Sequence, residues 1–344
     1  MRTWGATRLA AIAVLAVLLG PTACGAEDDP AAGTTATGTS AAEDAFPVTL
    51  DTEFGATTVE EAPERVVVLG LTDADAVLAL GVTPVAVQQW LPQFAEYGVG
   101  PWAEDLIAEA VDGGETEVLP NTGVVAYDVE QIAALRPDLL VAISANIDQP
   151  TFDQLSALAP VVARPPGTVN FGVTLADSTM AIGRALGRED EARELVEQTA
   201  ARYAAAAAEH PEFAGRTAAL ARPVDGGSYA AWLPADVRVQ IMDQLGFEPA
   251  AGLTALDDGT FSTTVAAERL DLLDADVLVV IVPEGFDQVV ADDALLDGLP
   301  VVQEGGLVLL DAAGVGGAMA YNTVLSAQTV VDELVPQLSD ALGG

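Results

Sequence analysis

Several aromatic and polar side chains follow closely on predicted strands, where they could bind a ligand. In α/β proteins the carboxyl ends of parallel strands meet at one edge of the sheet, and ligands bind there. The residues at such positions are Trp90, Asn146, Arg222, Tyr229 and Trp232. The planar guanidinium of an arginine pairs well with carboxylate or catecholate oxygens, and tryptophans supply apolar walls. The alternative is structural, because tryptophans also bury well at interfaces and Arg222 could pair with a surface acid. Weaker candidates of the same kind are Arg164, Phe171 and Tyr321.

The residues needed for catalysis are scarce. The chain has one histidine, His210, whose place at a predicted helix end favours a C-terminal cap, and one cysteine, Cys24, near the N-terminus. A Ser-His-Asp or Cys-His arrangement therefore cannot be assembled in the folded region, and direct zinc binding is disfavoured. No Walker-type loop occurs, and the glycine-rich run 314–319 is interpreted as a flexible loop. The sequence favours a binding protein with no cofactor and no protein-bound metal, although paired carboxylates leave a glycosidase open.

The overall charge excludes one class of partner. The chain has 52 acidic and 13 basic residues, a formal charge of −39, and every basic residue is an arginine. A surface this acidic repels a phosphate backbone, so nucleic acid is excluded as a partner. An arginine in a binding site is, for the same reason, a local exception in this chain.

The N-terminus has the pattern of an export signal. Arg2 and Arg8 flank a start that leads to an apolar run over residues 9–19, too short for a transmembrane helix. Residues 1–23 are therefore predicted to be a signal peptide, and the small and acidic residues of 24–45 a disordered tether. The segment resembles a bacterial lipoprotein signal, in which Cys24 becomes the lipidated first residue, although Pro21 stands where leucine is usual. Simple cleavage with an incidental cysteine is the alternative.

Short apolar runs alternate with helical patterns along the rest of the chain. Strands are predicted at 48–50, 57–59, 65–69, 84–87, 138–143, 161–163, 217–221, 228–231, 276–282 and 307–310. Helices are predicted at 72–80, capped by Thr72, at 128–135, capped by Asp128, and at 149–158, 235–245, 266–273 and 321–342. The first two strands form a hairpin, and the later alternation predicts parallel sheets with helices on both faces.

The longest helical pattern lies between two regions of this kind. Over residues 189–209 apolar or small residues recur at helical spacing, acidic residues open the run, and His210-Pro211 ends it. We therefore predict an α/β protein with two Rossmann-like lobes, each with a central parallel-type sheet, joined by one long interlobe helix. The predicted N-terminal lobe is 46–173, the interlobe helical segment 174–210 and the C-terminal lobe 211–344.

One stretch of each half echoes the other. The run 130–141, EQIAALRPDLLV, aligns without a gap on 268–279, ERLDLLDADVLV. Glu130 thus corresponds to Glu268, and Asp138, which opens a predicted strand, corresponds to Asp276. Any helix-then-strand unit has a similar pattern, and a glutamate in a first turn is favoured by the helix dipole, so the match alone indicates only that the two lobes present similar surfaces.

The chain resembles the iron-siderophore and cobalamin substrate-binding proteins of bacterial ABC importers. The resemblance rests on PERVV at 63–67, TDADAVLALGV at 72–82, EQIAALRPD at 130–138 and the long helix, and it extends from about Phe46 to the C-terminus. It implies two α/β lobes bridged by one helix, with the ligand held between them and a small hinge motion. It also implies that Glu130 and Glu268 dock on arginines of the permease.

We therefore expect a lipid-anchored, extracytoplasmic and monomeric receptor that captures a ferric siderophore and delivers it to an ABC permease with its ATPase. Such a chelate already satisfies its metal, so the protein needs walls and donors and no metal ligands. Cobalamin or haem are alternative ligands. A surface lipoprotein that acts as a sensor without transport is the alternative from another class.

Overall fold

The folded region begins with a small hairpin packed on the first sheet. The computed structural model describes residues 45–90, 97–120 and 127–343. Strands β1 (Val48–Thr52) and β2 (Gly55–Val59) pair antiparallel, which confirms the predicted hairpin. The Thr57 hydroxyl donates a hydrogen bond of 2.8 Å to the carbonyl oxygen of Val161, and this bond ties the hairpin to the edge of the sheet.

The N-terminal lobe is built on a parallel sheet of five strands in the order β5-β4-β3-β6-β7. These strands are β3 (Val66–Val68), β4 (Ala86–Gln88), β5 (Glu117–Leu119), β6 (Leu139–Ala142) and β7 (Val161–Ala163). Strands β3 and β6 are buried along their whole length, which explains their continuous apolar sequences. The chain runs from β3 outward to β5 and then returns on the other side of β3 as β6. The point where the strand order reverses therefore lies between β3 and β6, and such crevices bind ligands in α/β proteins.

In the part of the lobe that the structure describes, four helices connect these strands. They are α1 (Asp73–Ala79), α2 (Glu104–Asp112), α3 (Val129–Ala134) and α4 (Gln149–Ser156), with a 3₁₀ turn at Pro101–Ala103. Asp128 caps α3 as predicted, because its carboxylate accepts the Gln131 amide at 3.0 Å. The predicted Thr72 cap of α1 is wrong. Thr72 has helical rather than extended backbone angles and makes no capping bond, and its hydroxyl instead hydrogen-bonds the Ser144 hydroxyl at 2.7 Å.

One long helix joins this lobe to the second one. After α5 (Leu175–Ala185), α6 spans Glu189–Glu209, 21 residues, which confirms the predicted helix at both ends. Near its start Ala192 packs in the core of the N-terminal lobe, and further on Tyr203 and Ala206 pack in the core of the C-terminal lobe. The helix is thus part of both cores. His210 follows its last residue, and its imidazole hydrogen-bonds the Glu212 carboxylate at 2.8 Å.

The C-terminal lobe has a mixed sheet in the order β11-β9-β8-β12-β13, with the short β10 beside β8. The strands are β8 (Thr217–Val224), β9 (Ser228–Trp232), β10 (Glu248–Pro249), β11 (Ser262–Val265), β12 (Val277–Val282) and β13 (Leu307–Asp311). Strands β8, β12 and β13 are parallel as expected, whereas β9 is antiparallel to both β8 and β11. The cause is the tight turn at Gly226 and Gly227, both with positive φ, which sends the chain straight back along β8.

Short helices complete this lobe. They are α7 (Val237–Gln244), α8 (Ala251–Thr254), α9 (Asp287–Ala291), α10 (Ala294–Asp297), α11 (Pro300–Gln303), α12 (Val315–Tyr321), α13 (Ser326–Thr329) and α14 (Val335–Ala341), with 3₁₀ turns at Pro211–Phe213 and Ala267–Leu273 and a π turn at Val330–Leu334. The described residues include no helix that combines the length and the apolarity needed to cross a membrane.

The interpretation of residues 314–319 as a flexible loop is wrong. They form the start of α12, and Val315 to Met319 are buried. A side chain at Gly316 would come within 2.8 Å of the Asp311 carbonyl oxygen, and one at Gly317 within 2.8 Å of the Ala312 carbonyl oxygen. The glycines therefore serve close packing of the helix start against the end of β13, where flexibility has no part.

Candidate functional site

A crevice lies between the two lobes at the carboxyl edge of the N-terminal sheet. From the N-terminal lobe it is lined by Leu71 and Thr72, which follow β3, and by Ser144, which follows β6. From the C-terminal lobe it is lined by Val237 of α7 and by the segment that ends α12. The crevice has a volume of about 110 Å³, and a second one of about 240 Å³ continues from it toward α6. The point at which strand order reverses in the N-terminal sheet thus faces this cleft, where a ligand of an α/β protein is expected.

Trp90 and Asn146 both contact the segment of Asn170 and Phe171, and Phe171 lines the crevice. The Trp90 indole donates to the Leu69 carbonyl oxygen at 2.9 Å, and its ring meets that of Phe171 edge-on at 5.8 Å. The Asn146 side-chain oxygen accepts a bond of 2.7 Å from Asn170. Phe171 is 45% exposed and has a left-handed backbone, φ 60°. An exposed aromatic ring held in this conformation is well placed to contact a ligand.

The C-terminal wall contains a cavity of about 590 Å³ lined by Arg222, Trp232 and Arg238. This volume falls within the range of about 300–1,000 Å³ that is typical of small-molecule sites. The Arg238 guanidinium lies 4.1 Å from the centre of the Trp232 ring and forms two bonds of 2.7 Å to the Asp236 carboxylate. Asp236 in turn caps α7 by accepting the Arg238 amide. Arg238 is thereby fixed in position over the tryptophan.

Arg222 differs from Arg238 in its partners. It is exposed on β8, and among the residues that the structure describes it has no hydrogen bond or ion pair. Most other arginines of the folded region are bonded, for example Arg188 to the Leu80 carbonyl oxygen and Arg216 to Asp276. Arg222 therefore has its full set of donors available to a ligand in the cavity.

Tyr229 does not join the cleft. It is 1% exposed, it packs in the core on the opposite face of the sheet from Trp232, and its hydroxyl donates to Asp293 at 2.9 Å. Burial and this neighbouring carboxylate raise the pKa of the phenol. Successive residues of a strand point to opposite faces, so two residues three apart, such as Tyr229 and Trp232, cannot share a face. The sequence prediction placed both Tyr229 and Trp232 in the site and did not take this alternation into account.

Arg238 is a cleft residue that the sequence reasoning missed. The predicted site residues were those next to strand ends. Arg238 lies instead in the first turn of α7, after the strand β9 and a loop. The signal that could have found it is its rarity, since the chain has only 13 basic residues. Arg164 was a weaker candidate, and its guanidinium is engaged over the Phe54 ring at 4.6 Å and with the Thr168 carbonyl oxygen at 3.1 Å.

Two buried acids, Asp73 and Asp75, hydrogen-bond segments next to the crevice. The Asp73 carboxylate accepts the backbone amides of Ile143 at 2.7 Å and Ser144 at 3.1 Å, and thereby holds the loop after β6. The Asp75 carboxylate accepts the Trp102 indole at 2.6 Å and the Thr323 hydroxyl. Burial raises the pKa of each acid to about 6, against the hydrogen bonds, which lower it. Neither acid lies with a second group suited to catalysis, so we assign them a structural role.

Glu130 and Glu268 occupy equivalent exposed positions in the two lobes. Glu130 lies in the first turn of α3, before β6, and Glu268 in the turn Ala267–Leu273, before β12. Each therefore lies in the helical turn that precedes a central strand of its lobe. The aligned aspartates also correspond: Asp138 accepts the Arg65 amide at 2.8 Å ahead of β3, and Asp276 accepts the Thr217 amide at 2.8 Å at the start of β8. The echo in the sequence thus reflects the same structural unit in each lobe.

Other predictions concern metals and the N-terminus. Across residues 45–90, 97–120 and 127–343, no cluster of histidine, cysteine and acidic side chains has the arrangement of a metal site. Cys24, the predicted lipidation site, lies outside the described residues.

Two α/β lobes bridged by one long helix, with a crevice between them, define a two-lobed ligand-binding protein. The chain belongs to the periplasmic binding protein family, whose model matches residues 66–313.

Individual relatives have related names. The chain is 29% identical over 237 residues to the Fe(3+)-citrate-binding protein YfmC of Bacillus subtilis, covering 68% of each chain. It is 30% identical over 230 residues to a protein of the same organism named probable siderophore-binding lipoprotein YfiY, covering 63% of this chain and 62% of that one. Among solved structures, a periplasmic solute binding protein from Mycobacterium smegmatis superposes with a TM-score of 0.74 at 31% identity, covering 86% of this chain and 99% of the other.

Proposed function

We propose that this protein captures a ferric siderophore between its two lobes and delivers it to an ABC permease for iron uptake. The observation that carries the proposal is a cavity of ligand size lined by Arg222, Trp232 and Arg238, together with the Phe171 ring in the crevice between the lobes. The names of the two Bacillus subtilis relatives, which refer to ferric citrate and siderophores, agree with this cargo. In this function the protein binds and releases its cargo without chemical change, and it is not an enzyme.

The donor set of the cleft fits a chelate that presents anionic oxygens. Arg222 offers unpaired guanidinium donors, and Arg238 offers those that its bonds to Asp236 leave over. The aromatic rings of Trp90 and Trp232 provide contact for the organic part of the chelate. The iron is cargo and keeps the ligands of the chelate, so the protein itself supplies none.

The ligand is tested by quenching of tryptophan fluorescence. Ferric citrate, a ferric hydroxamate and a ferric catecholate are titrated into the protein, with cobalamin and haem in parallel. We expect saturable quenching by at least one ferric chelate, because Trp232 lines the cavity and Trp90 contacts Phe171, which lines the crevice. A response to cobalamin or haem alone would replace the siderophore by that ligand, and a response to none would favour the sensor that does not transport.

The permease is proposed to dock across the cleft on Glu130 and Glu268. Each is an exposed carboxylate, one per lobe, so together they offer a two-point contact for basic residues of a partner. Charge reversal, Glu130→Arg with Glu268→Arg, is expected to abolish uptake of the radiolabelled ferric chelate while its dissociation constant stays unchanged. Glu109→Arg, an exposed acid on α2, is the control that should transport normally. A loss of affinity in the double variant would instead assign these residues to the cleft or to folding.

The location follows from the N-terminal pattern. We propose that residues 1–23 direct export, that Cys24 is lipidated, and that residues 24–45 tether a monomeric receptor with lobes at 46–173 and 211–344, joined by 174–210, to the outer face of the cell membrane. The name of the relative YfiY includes the word lipoprotein, in agreement with this. Metabolic labelling with a clickable fatty acid is expected to mark the wild-type chain and not Cys24→Ser. Equal labelling of both would contradict the anchor.

A further inference from the structure

Among the described residues, a hydrogen-bonded contact around Asp75 joins the two lobes. Asp75 lies on α1 of the N-terminal lobe and is 1% exposed. Thr323 lies between α12 and α13 of the C-terminal lobe, 248 residues further along the chain, and its hydroxyl meets the Asp75 carboxylate. A side-chain bond between buried groups of different lobes is a direct constraint on their separation.

The direction of this bond is fixed by its neighbours. The Thr323 hydroxyl oxygen accepts the Ser326 amide at 3.0 Å, and the Ser326 hydroxyl accepts the Thr323 amide at 2.8 Å. The hydroxyl proton is thereby directed away from this reciprocal cap and toward Asp75. The ionised carboxylate, which only accepts, is the matching partner.

Trp102 completes the contact from the other side. Its indole donates to the same carboxylate oxygen of Asp75 at 2.6 Å. Its ring packs against the cores of both lobes and meets Tyr321 of α12 edge-on at 5.1 Å. Leu325, beside Thr323, also packs on the core of the N-terminal lobe. Apolar contacts and two charge-assisted bonds therefore converge on one carboxylate.

We propose that Asp75, with Trp102 and Thr323, is an interlobe lock that sets the width of the cleft. Helix α6 joins the lobes covalently, but a helix end can still pivot, whereas the lock joins them at a second place. With two points of attachment, the lobes can rotate about only one remaining axis. Release of the lock frees the second attachment and widens the range of lobe separations. The proposal concerns the unliganded protein and holds whichever ligand the cleft takes.

The test compares two substitutions at one position. Thr323→Val keeps the shape of the side chain but removes both the donor to Asp75 and the acceptor of the Ser326 amide, whereas Thr323→Ser keeps the hydroxyl. Spin labels are attached at Ser156→Cys in α4 and Ser262→Cys in β11, both exposed, in the full-length chain carrying Cys24→Ser. We expect Thr323→Val to broaden the interlobe distance distribution and to speed amide exchange around Ser326 roughly tenfold, since hydrogen bonds to charged groups are among the stronger ones. Thr323→Ser is expected to behave as the wild type.

Two further variants separate a lock from a general loss of stability. Ser326→Ala removes the half of the reciprocal cap in which the Ser326 hydroxyl accepts the Thr323 amide, and it leaves the bond between Thr323 and Asp75, so the distances should stay narrow. Asp73→Asn alters an equally buried acid whose bonds stay within the N-terminal lobe, and it should lower the melting temperature without broadening. If Thr323→Val fails to fold, Trp102→Phe removes the other donor and takes its place. Equal distance distributions in Thr323→Val and Thr323→Ser, or equal broadening in Asp73→Asn, would overturn the lock.

Discussion

At the scale of single residues, the cleft depends on a contrast between two arginines. Arg238 is held by Asp236 and by the ring of Trp232, so its position is fixed before a ligand arrives. Arg222 is exposed beside it and has no partner among the described residues. In a chain of formal charge −39, these two guanidinium groups line one cavity together with the carboxyl groups of Glu284 and Asp311, so they offer donors to anionic oxygens within a lining of mixed charge. Preorganisation by Arg238 and free donors on Arg222 are thus separate contributions to binding.

Removal of the free charge is expected to reduce binding without a change in stability. Arg222→Gln should weaken the affinity for ferric citrate about tenfold to a hundredfold, because one charge-assisted bond contributes on the order of 1.5–3 kcal/mol. The measurement is a fluorescence titration, with the melting temperature as a check on folding. Arg269→Gln, an exposed arginine paired with Asp271 away from the cavity, is the control and should leave the affinity unchanged. An equal loss in both variants would show that Arg222 acts only through the overall charge.

For Tyr229 we expect a change in stability without a change in affinity. Tyr229→Phe removes the bond to Asp293 and should lower the free energy of unfolding by about 0.5–1.5 kcal/mol, a typical value for one hydrogen bond. Affinity for ferric citrate should stay the same, because the ring faces away from the cleft. Urea denaturation and the fluorescence titration measure the two quantities. A loss of affinity with unchanged stability would return Tyr229 to the site.

At the scale of secondary-structure elements, the close packing of α5 against α6 holds the interlobe helix in place. Gly183 of α5 lies against Ala192 of α6, and a methyl group added at Gly183 would lie 2.3 Å from the Ala192 Cβ. Ala192 belongs to the core of the N-terminal lobe, so the start of the helix is anchored there. Arg188, just before α6, adds a bond of 2.7 Å to the carbonyl oxygen of Leu80. The helix can transmit lobe position only if this end stays fixed.

Gly183→Ala is expected to destabilise the protein by about 1–3 kcal/mol, the usual cost of overpacking a core. The sign of this change in stability is informative, because alanine in a helix interior otherwise stabilises a protein by up to about 1 kcal/mol relative to glycine. Gly183→Ala with Ala192→Gly moves the methyl group to the other helix and should recover most of the lost stability in urea denaturation. If the single variant is as stable as the wild type, the helices are not in the close contact that we describe.

At the scale of the whole molecule, the sequence predicts what local patterns control and misses what the fold brings together. The long helix was predicted because spacing, acidic first turn and proline stop all lie within the segment itself, and the hairpin and central strands for the same kind of reason. Arg238 was missed and Tyr229 was included, because membership of the cleft depends on strand alternation and on a neighbouring helix. Asp75 and Thr323 are 248 residues apart in the chain, so no local sequence pattern predicts their contact.

The pH dependence of stability follows from the two buried acids. Asp73 and Asp75 have pKa values of about 6 in the folded protein, raised by burial from 3.8. Between these values the folded state binds more protons than the unfolded state, so this contribution to stability is fully present below about pH 3.8 and is lost as the pH rises through 6. Acids such as Asp276 and Asp148, whose hydrogen bonds lower their pKa, act in the opposite sense and destabilise the fold as the pH falls below 3.8. We therefore expect the free energy of unfolding to rise as the pH falls from 7 to about 5, and to decline again in stronger acid.

Urea denaturation between pH 3 and 8 measures this profile, and about 1 M salt separates its two sources. Repulsion within a chain of formal charge −39 also weakens on acidification, but salt screens it, whereas the desolvation of buried acids persists. In high salt, Asp73→Asn should therefore reduce the slope of the free energy of unfolding against pH between pH 4 and 6. The reduction corresponds to a difference of up to about one bound proton between the folded and unfolded states. Asp105→Asn, an exposed acid on α2, should leave that slope as it is in the wild type. If the wild-type profile loses its slope entirely in high salt, the pH dependence of stability arises from surface repulsion. The two buried acids would then titrate in the folded protein as they do in the unfolded chain.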